Sequence, residues 1–345
     1  MVSDAKPIIF DCSALIPSLQ FLGVGRFGTV ELSTSKEFND KQVAIKKAKL
    51  AQPELESNEM HMLFRFNDTF KGTSNTCRIL GVCIAGVCNI EKRHGPCIAL
   101  EYFSGGSLKD NLQTPVINIE SGWFDHFNAV DARSSGQDSL LLPIVRRVVY
   151  LSKALIDEGF LHGDMHLGNL LLRRPINTIT IFKDEDLVLS DFSHSKERSS
   201  TKAPITLEEN PNLPVPPNWN EHIHVFSVGK ILYHMLVGES LRATEERLGK
   251  YVPNEGCFQN RDVGNIMNSF PTPFSDIIIC CLRSPTIARP SHDTILTLLS
   301  GKTALLPTIT DEIASIVPPP ESNQIVIRRI RKPATPLSRG HRNSR

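Results

Sequence analysis

The stretch HGDMHLGNLLL, from His162 to Leu172, together with Ser190-Asp191-Phe192 further on, constrains this chain more than any other feature. It sets Asp164 and Asn169 just ahead of an apolar strand, and a following turn brings in a second aspartate, Asp191. A phosphotransferase uses such a set to place one carboxylate beside an acceptor hydroxyl and two oxygen ligands around Mg²⁺. The pattern predicts ATP chemistry before it says anything about the acceptor.

A chain of 345 residues, 40% of them hydrophobic, has ample material for two or three domains or one large bilobal one. Its net charge of +1 excludes a global field that recruits nucleic acid or anionic lipid, so any basic partner-binding surface is local. The opening MVSDAKPIIFDCSAL lacks a basic segment followed by a sustained apolar run, and no uncharged apolar stretch is long enough to span a bilayer. The expectation is a soluble intracellular protein, cytoplasmic or nuclear, without a membrane partner. Of eight cysteines, Cys83, Cys97, Cys280 and Cys281 sit in apolar runs and are expected as buried thiols in a reducing compartment. Cys77, Cys83, Cys88 and Cys97 with His94 lack the ligand spacing of a metal site.

Residues 1–17 read as a lead-in. From there to residue 103, FLGVGRFGTVELS, QVAIKKAKL, RILGVCIAGVC and PCIALEYF read as strands, and ESNEMHMLFRF, with Met60, Leu63 and Phe64 at helical spacing, as one helix. After Gly105-Gly106 the pattern changes: LLPIVRRVVYLSKALIDEGFL, VFSVGKILYHMLVG and SDIIICCL are helix-length amphipathic segments. The predicted fold is α+β and bilobal, with a small antiparallel β-rich N-lobe over about 18–103 and a larger, mainly helical C-lobe over about 104–300. Residues 113–139 read as a polar insertion and 194–220 as a long loop. Residues 301–345 lose apolar periodicity, carry Pro318-Pro319-Pro320, and end in a basic run from Arg328 to Arg345 with no acid after Glu321. A solvated, disordered end is expected there, and a nuclear-import or nucleic-acid contact through 328–345 is the alternative.

Gly23, Gly25 and Gly28 lie between two strands, where their small size leaves backbone N–H groups open to phosphate oxygens. A dinucleotide fold needs a helix directly after such glycines, whereas here they run into another strand, VELSTS. The context favours a phosphate-covering flap. Val43-Ala44-Ile45-Lys46 then places a lysine on an apolar strand, from which it can reach the α and β phosphates. Such a lysine needs an anchoring carboxylate, for which Glu59 is the first candidate and Glu56 the second.

With the glycine flap, this lysine, the hinge-like LEYFSGGSLKDNL and HGDMHLGN in this order, the chain resembles the eukaryotic protein kinase family over about residues 18–300. By that resemblance ATP and Mg²⁺ are the cofactors and a protein is the substrate. Leu22, Gly23, Gly25, Phe27 and Gly28 belong to the flap over ATP, Val30 and Ala44 roof the adenine, and Leu100 is the gatekeeper. The backbone from Glu101 to Phe103 meets the adenine edge, and Ser107 or Asp110 the ribose. Lys46 binds phosphate, Asp164 is the catalytic base, Asn169 and Asp191 hold Mg²⁺, and His166 stands where serine/threonine kinases carry a catalytic lysine.

The departures from the family are equally informative. His162-Gly163-Asp164 replaces HRD, removing the arginine that commonly answers an activation-loop phosphate, so activity is expected not to require phosphorylation at Ser199, Ser200 or Thr201. Asp191-Phe192-Ser193 replaces DFG, and His224 stands where the long central helix usually has an aspartate. Arg289-Pro290 matches the late arginine that pairs with the glutamate of an APE triplet, but no such triplet is visible, leaving Glu208 or Glu209 as stand-ins. HGD, a histidine and GN also resemble the loop of aminoglycoside and choline phosphotransferases. Transfer to Ser/Thr hydroxyls of proteins is the expected function, with a pseudokinase scaffold and a small-molecule kinase as alternatives. This divergence, the single-domain build and the basic tail suit a kinase encoded by a large DNA virus and acting in the host cell.

Overall fold

A computed structural model describes residues 8–11, 15–24, 28–48, 53–70, 73–83, 97–112, 140–197, 219–238, 240–243, 274–282 and 289–300. The insertion over 113–139, the loop over 198–218 and the tail over 301–345 lie outside them.

The first lobe is a six-stranded sheet in the order β1-β5-β6-β4-β3-β2. Its strands are β1 (Ile8–Ile9), β2 (Ile16–Val24), β3 (Gly28–Ser35), β4 (Lys41–Ala48), β5 (Ile79–Cys83) and β6 (Cys97–Glu101). All neighbours pair antiparallel except β1, which runs parallel to β5 through Ile8↔Gly81 and Ile9↔Val82. Part of the expected lead-in is therefore an edge of the sheet, a pairing two short residues cannot announce by periodicity. The period-two alternation of β4 divides its side chains cleanly: Val43 and Ile45 enter a small cluster with Phe10, Cys83, Cys97 and Ala99, while Ala44 joins the main core on the opposite face. Lys46 is on that second face too.

Helix α1 (Pro53–Thr69) lies between β4 and β5 in the chain. Its buried stripe runs through Glu59, Met62, Leu63, Phe66 and on to Phe70, the i, i+3, i+4 rhythm of one helical face. Phe64, expected on this stripe, is 42% exposed, because one residue beyond Leu63 turns the side chain by about 100°. Cys83 is disulfide-bonded, not the free thiol expected, whereas Cys77, Cys97, Cys280 and Cys281 are free. An apolar neighbourhood in sequence marks a buried sulfur but cannot tell a thiol from half a cystine.

The second lobe is organised around α3 (Leu141–Asp157), preceded by the short α2 (Leu108–Leu112). Among the described residues it also holds helices α4 (Trp219–Val237), α5 (Phe274–Cys281) and α6 (His292–Leu299), with α3 packed on α4 and α6, and α4 on α5. Two short ladders carry the chemistry: β7 (Phe160–Leu161) with β10 (Lys196–Glu197), and β8 (Leu170–Leu172) with β9 (Leu187–Leu189). Among the described residues, no helix is long and apolar enough to cross a membrane.

Among the described residues, two backbone crossings join the lobes. The segment before β5 crosses over, Cys77 N–H donating to Leu189 O at 2.7 Å and Leu189 N–H to Asn75 O at 3.0 Å. The segment after β6 does likewise, Gly105 N–H donating to Leu172 O at 3.1 Å and Leu172 N–H to Gly106 O at 2.9 Å. Arg147, buried in α3, adds donations to Leu187 O and Ser74 O, so one guanidinium satisfies carbonyls from both lobes.

Candidate active site

A cleft of about 780 Å³ opens between the lobes. Its roof comes from Leu22, Gly23, Gly28 and Val30 on β2 and β3, with Ala44 from β4. Leu100, Glu101 and Phe103 form the back wall, with Ser107 and Asp110 at one side. The floor carries Asp164, His166, Asn169 and Asp191, facing Lys46 and Glu59. Gly25 and Phe27 lie outside the described residues. Concave size and mixed polar lining are those of a site for one nucleotide-sized ligand.

Lys46 occupies the centre. Its Nζ donates to Glu59 Oε1 at 2.8 Å and to Asp191 Oδ1 at 2.8 Å, so one ammonium links sheet, helix and floor. Burial alone lowers a lysine pKa, but these two carboxylates outweigh it and hold Lys46 well above its ordinary value. Burial pushes Glu59 up while Lys46 pulls against it. For Asp191 burial is more than offset by Lys46 and by a hydrogen bond from Ser193, which keep its carboxylate ionised far below the usual range. Ser193 Oγ donates to Asp191 Oδ1 at 2.6 Å, the same oxygen that Lys46 holds, so the serine that replaces the usual glycine helps fix the carboxylate and leaves Oδ2 outside both bonds. The Glu56 side chain lies outside the described residues.

On the floor, Asn169 Nδ2 donates to Asp164 O at 2.9 Å, which turns the amide oxygen the other way. Asn169 Oδ1 and Asp191 Oδ2 are the hard oxygen ends that Mg²⁺ takes when substrate phosphates and water supply the remaining ligands. The residues fit that ion. His166 caps the turn Leu167–Asn169, its Nδ1 accepting from Gly168 N–H at 2.9 Å. The ring proton of a neutral imidazole then sits on Nε2, 3.6 Å from Asp164 Oδ2. Burial raises Asp164, but His166 first, then His162 and His194, hold its carboxyl below the ordinary value.

The loop before Asp164 rests on histidines. His162 Nε2 lies 3.0 Å from Ser190 O and donates to it, so Nδ1 is the acceptor for Asp164 N–H at 3.3 Å. His162 N–H donates to His224 Nε2 at 2.8 Å, which puts the His224 proton on Nδ1, facing Ser152 Oγ at 3.4 Å. Ser152 Oγ in turn lies 2.8 Å from His292 Nε2. Burial holds both rings neutral, lowering His162 to about 4 and His224 to about 3, the latter with help from its neighbours His292 and His162. The sequence marked His224 only as a departure; that it is the acceptor supporting the loop backbone, through Ser152 and His292, is legible only once four separate segments meet.

The hinge side refines two expectations. Ser107 Oγ donates to Asp110 Oδ2 at 2.6 Å and accepts from Asp110 N–H at 3.1 Å, so this hydroxyl is engaged in capping α2. The Glu101 carboxylate pairs with Arg173, whose guanidinium also lies over the Phe103 ring at 5.1 Å. Arg289 lies 4.5 Å above the ring of Phe226, a cation–π contact. Glu208 and Glu209, together with Ser199, Ser200 and Thr201, lie outside the described residues.

This ordered cleft, with its ammonium between two carboxylates and its Asp–Asn floor, has the architecture of a phosphotransferase with two lobes. Residues 17–298 match the protein kinase domain, and the chain belongs to the protein kinase family. It is 26% identical over 233 residues to the probable serine/threonine-protein kinase zyg-1 of Caenorhabditis briggsae, covering 64% of this chain and 26% of that protein. It is 25% identical over 296 residues to the dual specificity protein kinase pyk3 of Dictyostelium discoideum, covering 85% of this chain and 19% of that protein. The chain thus spans about a quarter or less of these relatives.

Proposed function

We propose that the protein is an active, ATP- and Mg²⁺-dependent kinase that phosphorylates Ser/Thr hydroxyls of proteins. The observation that carries this reading is the joint geometry of Lys46, Glu59 and Asp191, closed at 2.8 Å or less, over a floor where Asp164 and Asn169 are hydrogen-bonded into place. Phosphoryl transfer depends mostly on positioning and charge neutralisation, and this arrangement supplies both without rearrangement. Mg-ATP, when bound, supplies the transferable phosphoryl group. Lys46 neutralises phosphate charge, Asn169 and Asp191 hold the cation, and Asp164 orients the acceptor hydroxyl and takes its proton. The Nε2–H of His166 faces the same carboxylate from the position of the family's lysine. The two relatives, one described as serine/threonine and one as dual specificity, support hydroxyl transfer on protein.

A peptide-array phosphorylation assay with Mg-ATP tests this. Wild type labels Ser/Thr peptides, and Asp164→Asn loses about a hundred- to ten-thousand-fold. Equal labelling by the two proteins sinks the assignment, and label found only on an aminoglycoside- or choline-like alcohol redirects it to small molecules.

A further inference from the structure

Where the family's arginine would follow His162, Gly163 adopts φ +80, and a Cβ built on it lies 2.3 Å from His194 O. The segment Ser193–Ser195 therefore occupies the space of any larger side chain. It is fixed from three directions. Asn58, on α1 beside Glu59, spends both amide hydrogens on it, donating to Ser193 O at 2.9 Å and Ser195 O at 3.0 Å. Ser195 Oγ donates to His162 O at 2.9 Å, tying the segment to the loop that carries Asp164. Ser193 Oγ holds Asp191 Oδ1.

The same helix makes two further contacts with this region. Phe66 meets the Phe192 ring edge-on at 4.5 Å between centroids, and Arg65 pairs with Glu197 at 2.8 Å. The surface ion pair adds little. The paired amide differs, because one side chain serves two carbonyls of the same segment and its removal takes both bonds at once.

We infer that Asn58 is a positioning residue for phosphoryl transfer. Its amide locks Ser193–Ser195 onto α1 and Gly163, so that Asp191, Lys46 and the Asp164 loop stay aligned without a phosphate on the chain. Helix position and segment position become one state. This rests on the proposed kinase activity, but its structural half can be read without substrate.

The test is Asn58→Asp in the full chain, which keeps the shape and replaces both donors by an oxygen facing two carbonyls. Amide hydrogen exchange at Ser195, whose N–H donates to Phe192 O at 3.0 Å, should accelerate. Turnover should fall about tenfold or more near pH 8. The deficit should narrow as pH drops and the new carboxyl gains a proton to donate, a recovery that general destabilisation does not produce. Gly163→Ala should accelerate the same exchange by pushing His194 away, with Asp164 chemically intact. Exchange at Ser195 unchanged in both variants overturns the lock whatever the activity shows. A pH-independent loss of turnover in Asn58→Asp overturns the positioning role. An inactive wild type overturns the proposed function instead, and exchange still decides the lock.

Discussion

Two polar clusters support the same cleft and are built on opposite principles. Lys46, Glu59 and Asp191 form a charged cluster at the centre of the site, whereas His162 and His224, held neutral by burial, form with Ser152 and His292 a second cluster whose members are each 2% exposed or less. Under the proposed function the first meets a highly charged phosphate ligand, so charge belongs there. The second only holds backbone in place, where an acceptor nitrogen suffices and a buried charge carries a desolvation cost. His224 therefore supports the His162 backbone with an uncharged acceptor nitrogen, and the His162 N–H fixes its tautomer.

Equivalent damage to the two clusters should cost unequal amounts. Lys46→Met leaves the buried Glu59 carboxyl without its cation and should destabilise the fold by about 3–5 kcal/mol, read by urea denaturation near neutral pH. Losses of the same size from Glu59→Gln and Lys46→Met would show a simple packing role. His224→Leu strands only the His162 N–H and should cost about 1–3 kcal/mol in the same measurement. A loss equal to that of Lys46→Met breaks the contrast.

The neutral cluster also predicts a pH dependence of definite sign. Unfolded histidines bind protons below about pH 6.5, whereas folded His162 and His224 do so only near 4 and 3. Between those limits the unfolded state holds more protons, so stability falls as pH falls. His224→Gln, which keeps an acceptor for His162 N–H, should reduce the slope of unfolding free energy against pH by close to one proton across this window. An unchanged slope means His224 is charged in the fold. The smallest expected effect is none: phosphatase treatment should leave turnover unaltered, since the segment after Asp191 is seated by Asn58 and Gly163. Loss of activity after that treatment would assign the seating to a phosphate.

How much of this was legible in the sequence follows the distance over which each signal acts. Lys46, Asp164, Asn169 and Asp191 sit in local motifs whose chemistry requires those residue types, so each could be named from its neighbours. Glu59 could be named because helical spacing turns it inward with Met62 and Leu63. Asn58 carries no local signal, since the carbonyls it serves lie more than a hundred residues away in the chain. The parallel pairing of Ile8 and Ile9 with Gly81 and Val82 is likewise set by a partner far along the chain. Ser107 shows the converse: its helix cap with Asp110 is local, three residues apart, and is readable from the sequence as a serine ahead of a helix.

The two crossings between the lobes end on one hairpin. Gly105 and Gly106 hold Leu172 in β8, Asn75 and Cys77 hold Leu189 in β9, and Leu170↔Leu189 and Leu172↔Leu187 join the strands. If these backbone bonds stay intact while the contacts of Lys46 and α1 with residues 191–197 give way, the cleft opens by turning about a line through Leu172 and Leu189. Such an axle confines displacement near itself and amplifies it with distance, so strands β2 and β3 of the roof would move furthest while the segment after β6 barely shifts. The far rim of the cleft is then the part that opens, while the wall formed by Leu100, Glu101 and Phe103 keeps nearly constant dimensions.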